Sequence, residues 1–319
     1  MYFFRLCLIV LSFFASGFST SQNYPTKSVK IIFPYSAGGT GDILARLIAQ
    51  ELTKQTGQSF VVENRTGAGG LIGYSAGSKS TGDGYTLVAM DSSYTMFPSL
   101  YSERIDWNIE SSLIPISLYG RAPFALIVNS SKNYKTTQDL IKQAKERSGE
   151  VSFGTPGNGT LHHIFISHLM QTTGVTMTHI PYKGASEALN AVLGNSVDWT
   201  FVALPTITGQ LTNDRMRVIA ITSESRSPLM PQVPTLRESG IAMTVDNWFG
   251  LSAPKGTSAE IISYLNKQIS IAIKSQEVIA RMKAMGAEAI SNSSEDFTQM
   301  VKNDIRAWSQ VIKNAGIKN

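Results

Sequence analysis

Residues 29–46 constrain the fold more than any other part of the chain. Val29, Lys30, Ile31, Ile32 and Phe33 form a short run rich in β-branched residues, suited to a buried strand. Pro34 cannot donate to a sheet ladder and ends it. Tyr35, Ser36, Ala37, Gly38, Gly39, Thr40 and Gly41 follow as a loop of small residues, whose glycines admit positive φ and close approach of a ligand to the main chain. Ile43, Leu44, Leu47 and Ile48 then recur at helical spacing. A helix opening here aims its unpaired N–H groups and positive dipole end at the loop, which suits an anion. A phosphate loop needs Lys and then Ser or Thr after its last glycine; Asp42 stands there instead and would repel a phosphate. A carboxylate held by backbone N–H groups and waters fits better. The plain alternative is a strand-to-helix turn capped by Asp42.

The device recurs. Residues 60–63 read as a strand, 67–73 as a glycine loop and 85–90 as another strand, a β-α-β-α-β order that predicts mostly parallel sheet flanked by helices. Ligands in such sheets bind beyond the carboxyl ends of the strands, where the first glycine loop and Asp91, Ser92, Ser93 and Tyr94 lie. Residues 124–128 read as a strand crossing into a second lobe. There a helix over 137–147 precedes a strand at 151–153, a second glycine loop at 154–159 and a helix opening at Thr160. Strands at 177–180, 197–202 and 218–222 and a helix at 186–193 complete that lobe. Two such glycine loops facing across a cleft could clamp an anion from both sides. Beyond a proline-rich stretch, residues 247–253 read as a returning strand, and amphipathic helices are expected over 258–274 and 295–314. The division expected is 23–123 with 225–319 for lobe 1 and 124–224 for lobe 2.

Residues 1–22 read as a secretory signal: Arg5, an apolar run, then small residues. The apolar run is shorter than the ~20 residues a membrane span needs. Cys7, the only cysteine, lies within it, so the mature chain is expected to carry no thiol chemistry. The net charge of +5 comes from scattered Lys and Arg, which suits small anions and argues against a nucleic-acid partner.

Sharper motifs are weaker. Gly67, Gly69 and Gly73 depart from the dinucleotide spacing, and no acidic residue follows at the required distance. Gly73, Ser75 and Gly77 match a nucleophile elbow, with Asp139 and His179 in plausible order. Too little strand precedes them, so a small-residue helix start competes with a secreted hydrolase using Ser75. His162, His163, His168 and His179 lack the i, i+4 spacing of a helical metal pair, and no metal site or cofactor is expected. His163, one turn into its helix, either faces the cleft or is a satisfied polar residue. Trp248 either reports closure or packs the core.

Taken together these residues resemble the Bug family of periplasmic solute receptors, the substrate-binding component of tripartite tricarboxylate transporters. The likeness rests on Tyr24-Pro25; on residues 34–42 with Ala45-Arg46; on Val62-Glu63-Asn64-Arg65 leading into Gly67-Ala68-Gly69-Gly70; and on Asp83-Gly84-Tyr85-Thr86-Leu87. It continues through Gly157-Asn158-Gly159-Thr160 with His163, His179-Ile180-Pro181-Tyr182-Lys183-Gly184, Val233-Pro234-Thr235 and Ala253-Pro254-Lys255-Gly256-Thr257. The resemblance implies an α/β fold of two lobes, of the type II-like periplasmic-binding-protein kind, closing over a small carboxylated ligand.

It also implies that one carboxylate is held by Tyr35, Ser36, Ala37, Gly38, Gly39, Thr40 and Asp42 from one side. Gly154, Thr155, Gly157, Asn158, Gly159, Thr160 and His163 face them from the other, and Ser92, Ser93, Phe201 and Ala203 complete the ligand set. Two departures bear on the substrate. Pro156 removes one donor N–H, and Asp91 would disfavour a second carboxylate if it faces the pocket. The implied partners are membrane transporter subunits, and the implied protein is a periplasmic monomer and no enzyme. A sensor for a membrane signalling partner would need the same closed surface.

Overall fold

The computed structural model describes residues 24–314; the expected signal lies outside them. β1 (Val29–Phe33) leads through the glycine loop into α1 (Thr40–Thr56), followed by β2 (Phe60–Asn64), α2 (Leu71–Ser78) and β3 (Thr86–Asp91). A short α3 (Phe97–Leu100) precedes β4 (Leu113–Asn129). Then come α4 (Thr137–Glu146), β5 (Ser152–Thr155), α5 (Leu161–Thr173), β6 (Thr178–Pro181), α6 (Ala185–Leu193), β7 (Trp199–Ala203) and β8 (Met216–Ile221). β9 (Asp246–Pro254), α7 (Ala259–Ile273), α8 (Gln276–Ala284) and α9 (Ser294–Asn314) close the described chain.

The strands run in the order β2-β1-β3-β9-β4-β7-β5-β6, with β8 also on β4. The outer pairings, β1 with β2 and β3 and β5 with β6 and β7, are parallel. The central ones are antiparallel, because β4 and β9 run opposite to the strands beside them. The sheet is therefore mixed: its two flanks carry the expected parallel pairing, and its centre is antiparallel. β4 is one strand of 17 residues, longer than the 124–128 segment legible in the sequence. Its residues through Pro123 pair with β9, and from Phe124 onward they pair with β7 and β8. Register shifts near Pro115 and Leu118 bend it along the way. Where the chain returns, Thr222 ties the two passages together: its Oγ accepts from Phe124 N (2.8 Å) and donates to Val245 O (2.6 Å).

The helices follow local signals. Gly57, at φ 71°, ends α1 with its N–H on Thr53 O, and a capping box of Thr136 and Asp139 opens α4. α8 occupies a stretch in which periodicity marks no helix. Ser275 caps it through Val278 N, but only Val278 and Met282 are buried, too few to mark a helix of nine residues. α2 contains Gly73 and Gly77, which serve packing. A Cβ on Gly73 would lie 2.7 Å from Arg65 O and Pro34 Cα, and one on Gly77 2.2 Å from Val88 Cγ2. Ser75 thus sits inside a helix and on no strand-to-helix elbow.

Candidate functional site

Both glycine loops end at a helix start, and the two starts meet across one seam. On the first loop, Asp42 is buried and braces the chain: it accepts from Gly38 N (3.1 Å), Asn64 Nδ2 (2.9 Å) and Arg46 Nε (2.9 Å). Its carboxylate is thereby engaged within its own half. Thr40 N, at the start of α1, donates to Thr206 Oγ1 beyond β7 (3.0 Å), and Thr40 Oγ1 donates to Ala203 O (3.2 Å). Ser36 N reaches Lys183 O (3.1 Å), and Ala37 O accepts from Ser186 Oγ (2.7 Å).

The second loop mirrors this. Thr160 caps α5 and also donates to Gly157 O (2.8 Å), while Leu161 N, the first helical donor, reaches across to Ser93 Oγ (3.0 Å). Asn158 O accepts from Tyr101 OH (2.7 Å). Each helix therefore spends an opening N–H on a hydroxyl of the opposite half, the group an incoming anion would replace.

The space between the helix starts is about 30 Å3, room for about two waters. Of the expected residues, Tyr35, Ser36, Gly39, Thr40 and Ala203 line it. Gly157 and Asn158 line a neighbouring cavity of about 240 Å3 with Gly69, Tyr101 and Tyr182. The others line neither cavity, and Ala37 and Gly38 are exposed. Ser92 accepts from Trp248 N (3.1 Å), and Thr200 Oγ1 donates to Gly154 O (2.9 Å) within the sheet. Phe201 stacks on Phe124 and Phe165 in the core. Gly159 N donates to His163 Nδ1 (3.2 Å), and His163 stacks on His179, whose Nε2 meets Thr155 Oγ1 at 2.6 Å. His163 Nδ1 thus braces its own loop. Burial holds it neutral, with its pKa lowered to about 4, and that of His179 to about 3.

Several lining residues were not legible. His162, one position away, lines the cavity; it is buried edge-on to Phe124, and burial lowers its pKa to about 3. Asn247 from β9 and Thr206 arrive from distant segments with no motif of their own. Asp91, which the sequence puts at a strand's carboxyl end but leaves open as to whether it faces the pocket, ends β3 on the cavity wall. Burial raises its pKa to about 6, against hydrogen bonds from Tyr74, Asn247 and Ser93 that lower it. Trp248 packs edge-on to Phe297 and donates to Asp304 Oδ2 (2.8 Å). A larger cavity of about 750 Å3, bordered by Arg121, Asp246, Lys283 and Glu288, contains neither glycine loop.

The model of the tripartite tricarboxylate transporter family receptor matches residues 44–317. Protein BugT of Bordetella pertussis is 34% identical over 301 residues, covering 94% of this chain and 92% of that protein. The periplasmic binding protein BugD superposes with a TM-score of 0.88 at 32% identity, over 93% of this chain and all of BugD (100%). R. palustris Rpa4515, solved with adipate, gives the same figures: 0.88, 32%, 93% and 100%. These likenesses carry the two-lobe α/β fold of periplasmic binding proteins and set aside the hydrolase reading. The chain belongs to the receptor family of the tripartite tricarboxylate transporters, a family of solute-binding receptors and not of enzymes.

Proposed function

We infer that this chain is a periplasmic receptor that captures a small organic acid between two lobes and presents it to the membrane subunits of a tripartite transporter. The observation that carries the reading is the meeting of two helix N-termini, each behind a glycine loop, across one seam. In the open protein their N–H groups are hydrated. A ligand carboxylate accepts from both helices in place of the Thr206 and Ser93 hydroxyls, and only the closed lobes offer both sets of donors, so bound ligand favours closure. Residues 23–123 with 225–319, and residues 124–224, are the two bodies proposed to move, with Thr222 at the passages between them. The adipate bound by Rpa4515 supports a carboxylated ligand here.

Calorimetric titration of the mature, refolded receptor against mono-, di- and tricarboxylates tests this. At 100 times its dissociation constant a true ligand adds about 2.7 kcal/mol of stability, seen as a raised melting temperature. Failure of every carboxylate to bind would overturn the reading.

Closure also has a steric requirement. Gly69 sits at φ 63°, and a Cβ there would lie 2.1 Å from Asn158 O across the seam. Gly69→Ala is therefore expected to raise the dissociation constant at least about tenfold, equivalent to about 1.4 kcal/mol against closure. The left-handed backbone itself costs the alanine roughly 1–2 kcal/mol. An unchanged dissociation constant would show that the seam need not close to this distance when ligand binds.

A further inference from the structure

Asp91 is 4% exposed at the carboxyl end of β3, on the wall of the cavity between the helix starts. Its two oxygens are unequally served. Oδ1 accepts from Tyr74 OH (3.1 Å), Ser93 N (3.2 Å) and Tyr35 OH (3.4 Å). Oδ2 meets Ser93 Oγ at 3.4 Å, and the Asn247 amide faces the same carboxylate. None of these groups is a cation, and among the described residues no ion pair includes Asp91. Charge-assisted N–H hydrogen bonds to a carboxylate are normally about 2.7–2.9 Å, shorter than the contacts from Tyr74, Ser93 and Tyr35, and no cation neutralises this one.

A second side chain points the same way. His162, 5% exposed, lines the cavity with its Nδ1 unpartnered, and Ser36, also on the lining, has a buried Oγ without a partner. The cavity thus joins anion-seeking helix starts on one side to a buried carboxylate, with unused polar atoms, on the other.

The geometry points to a ligand that carries an ammonium group as well as its carboxylate, with Asp91 receiving the ammonium: the receptor's substrate class is an amino acid, not a diacid. The inference rests on the carboxylate-receptor reading and narrows it. A second ligand carboxylate at Asp91 would set two like charges together in a dry site, which is unfavourable. A hydroxyl would satisfy a lone pair and leave the charge uncompensated. An ammonium does both.

The test compares α- and ω-amino acids with diacids, hydroxy acids and plain monocarboxylates of matched chain length, by calorimetric titration of the mature receptor. The tightest amino-bearing ligand is expected to bind at least about tenfold better than its diacid and hydroxy-acid counterparts, as pairing of a buried charge requires. In Asp91→Asn that advantage should vanish, with the diacid gaining. The wild-type comparison stands even if the variant fails to fold. Diacid or hydroxy-acid binding equal to or tighter than that of the amino acid would overturn the inference and leave the receptor reading intact. No binding by any carboxylate would overturn both.

Discussion

Replacing Phe297 with alanine is expected to destabilise the protein by about 3–5 kcal/mol, the range for deleting a large buried aromatic. Phe297 is fully buried on α9 and lies edge-on to Trp248, ring centroids 5.3 Å apart. Beneath it is Gly250 of β9, where a Cβ would come within 2.4 Å of the ring. The strand has given up a side chain so that the ring can rest on its backbone. Once the ring is gone, no neighbouring Cβ stands beneath to fill the space, and the sheet cannot collapse into it. The loss is a large fraction of the roughly 5–15 kcal/mol that holds a typical domain folded. Urea unfolding followed by tryptophan fluorescence measures it. Phe297→Leu, which keeps much of the volume, should lose less than half as much. A loss below about 1 kcal/mol in the alanine variant would mean that α9 is not anchored through this ring.

Asp91→Asn should stabilise the ligand-free protein by up to about 3 kcal/mol near pH 7.5 and leave it unchanged near pH 4. Burial raises the carboxyl pKa from 3.8 to about 6. A group raised on folding contributes fully below its unfolded pKa, and that contribution is lost as pH rises through the folded value. The wild type therefore loses stability between about pH 4 and 6, about 1.4 kcal/mol per pH unit across that window, and asparagine, neutral throughout, does not. His162, His163 and His179 act in the opposite sense. Their pKa values are depressed, so they stabilise above about pH 6.5 and lose that as pH falls. They are common to both proteins and cancel in the difference. Melting temperatures of both proteins at the two pH values test this; a variant less stable than wild type at pH 7.5 would mean that the charged carboxylate is well solvated by its neighbours. A residue that destabilises the empty receptor and serves the occupied one is what a binding site is expected to contain.

The local devices were legible in the chain. β1 spans the five residues its β-branched run marks, α1 opens after the glycines, and Thr160 caps α5 where the second loop ends. Their causes are short-range: side-chain shape, missing donors and positive φ act within a few residues. The mixed pairing at the centre of the sheet was not legible, because the directions of β4 and β9 follow from the chain crossing between halves.

The same limit explains the site. His162 and His163 are adjacent, yet a helix turns about 100° per residue, and only the docking of α5 through Ile164, Phe165 and Leu169 decides which ring faces the cavity. Asn247 and Thr206 join Asp91 and Thr40 from more than 100 residues away. The sequence by itself determined that two strand–glycine–helix units exist and that each would present N–H donors to an anion. Only the tertiary structure decided that the two helix starts share one cavity, and that a buried, cation-free carboxylate forms part of its wall. Helix polarity and glycine backbone freedom are written locally, whereas burial and proximity exist only once the distant segments are packed.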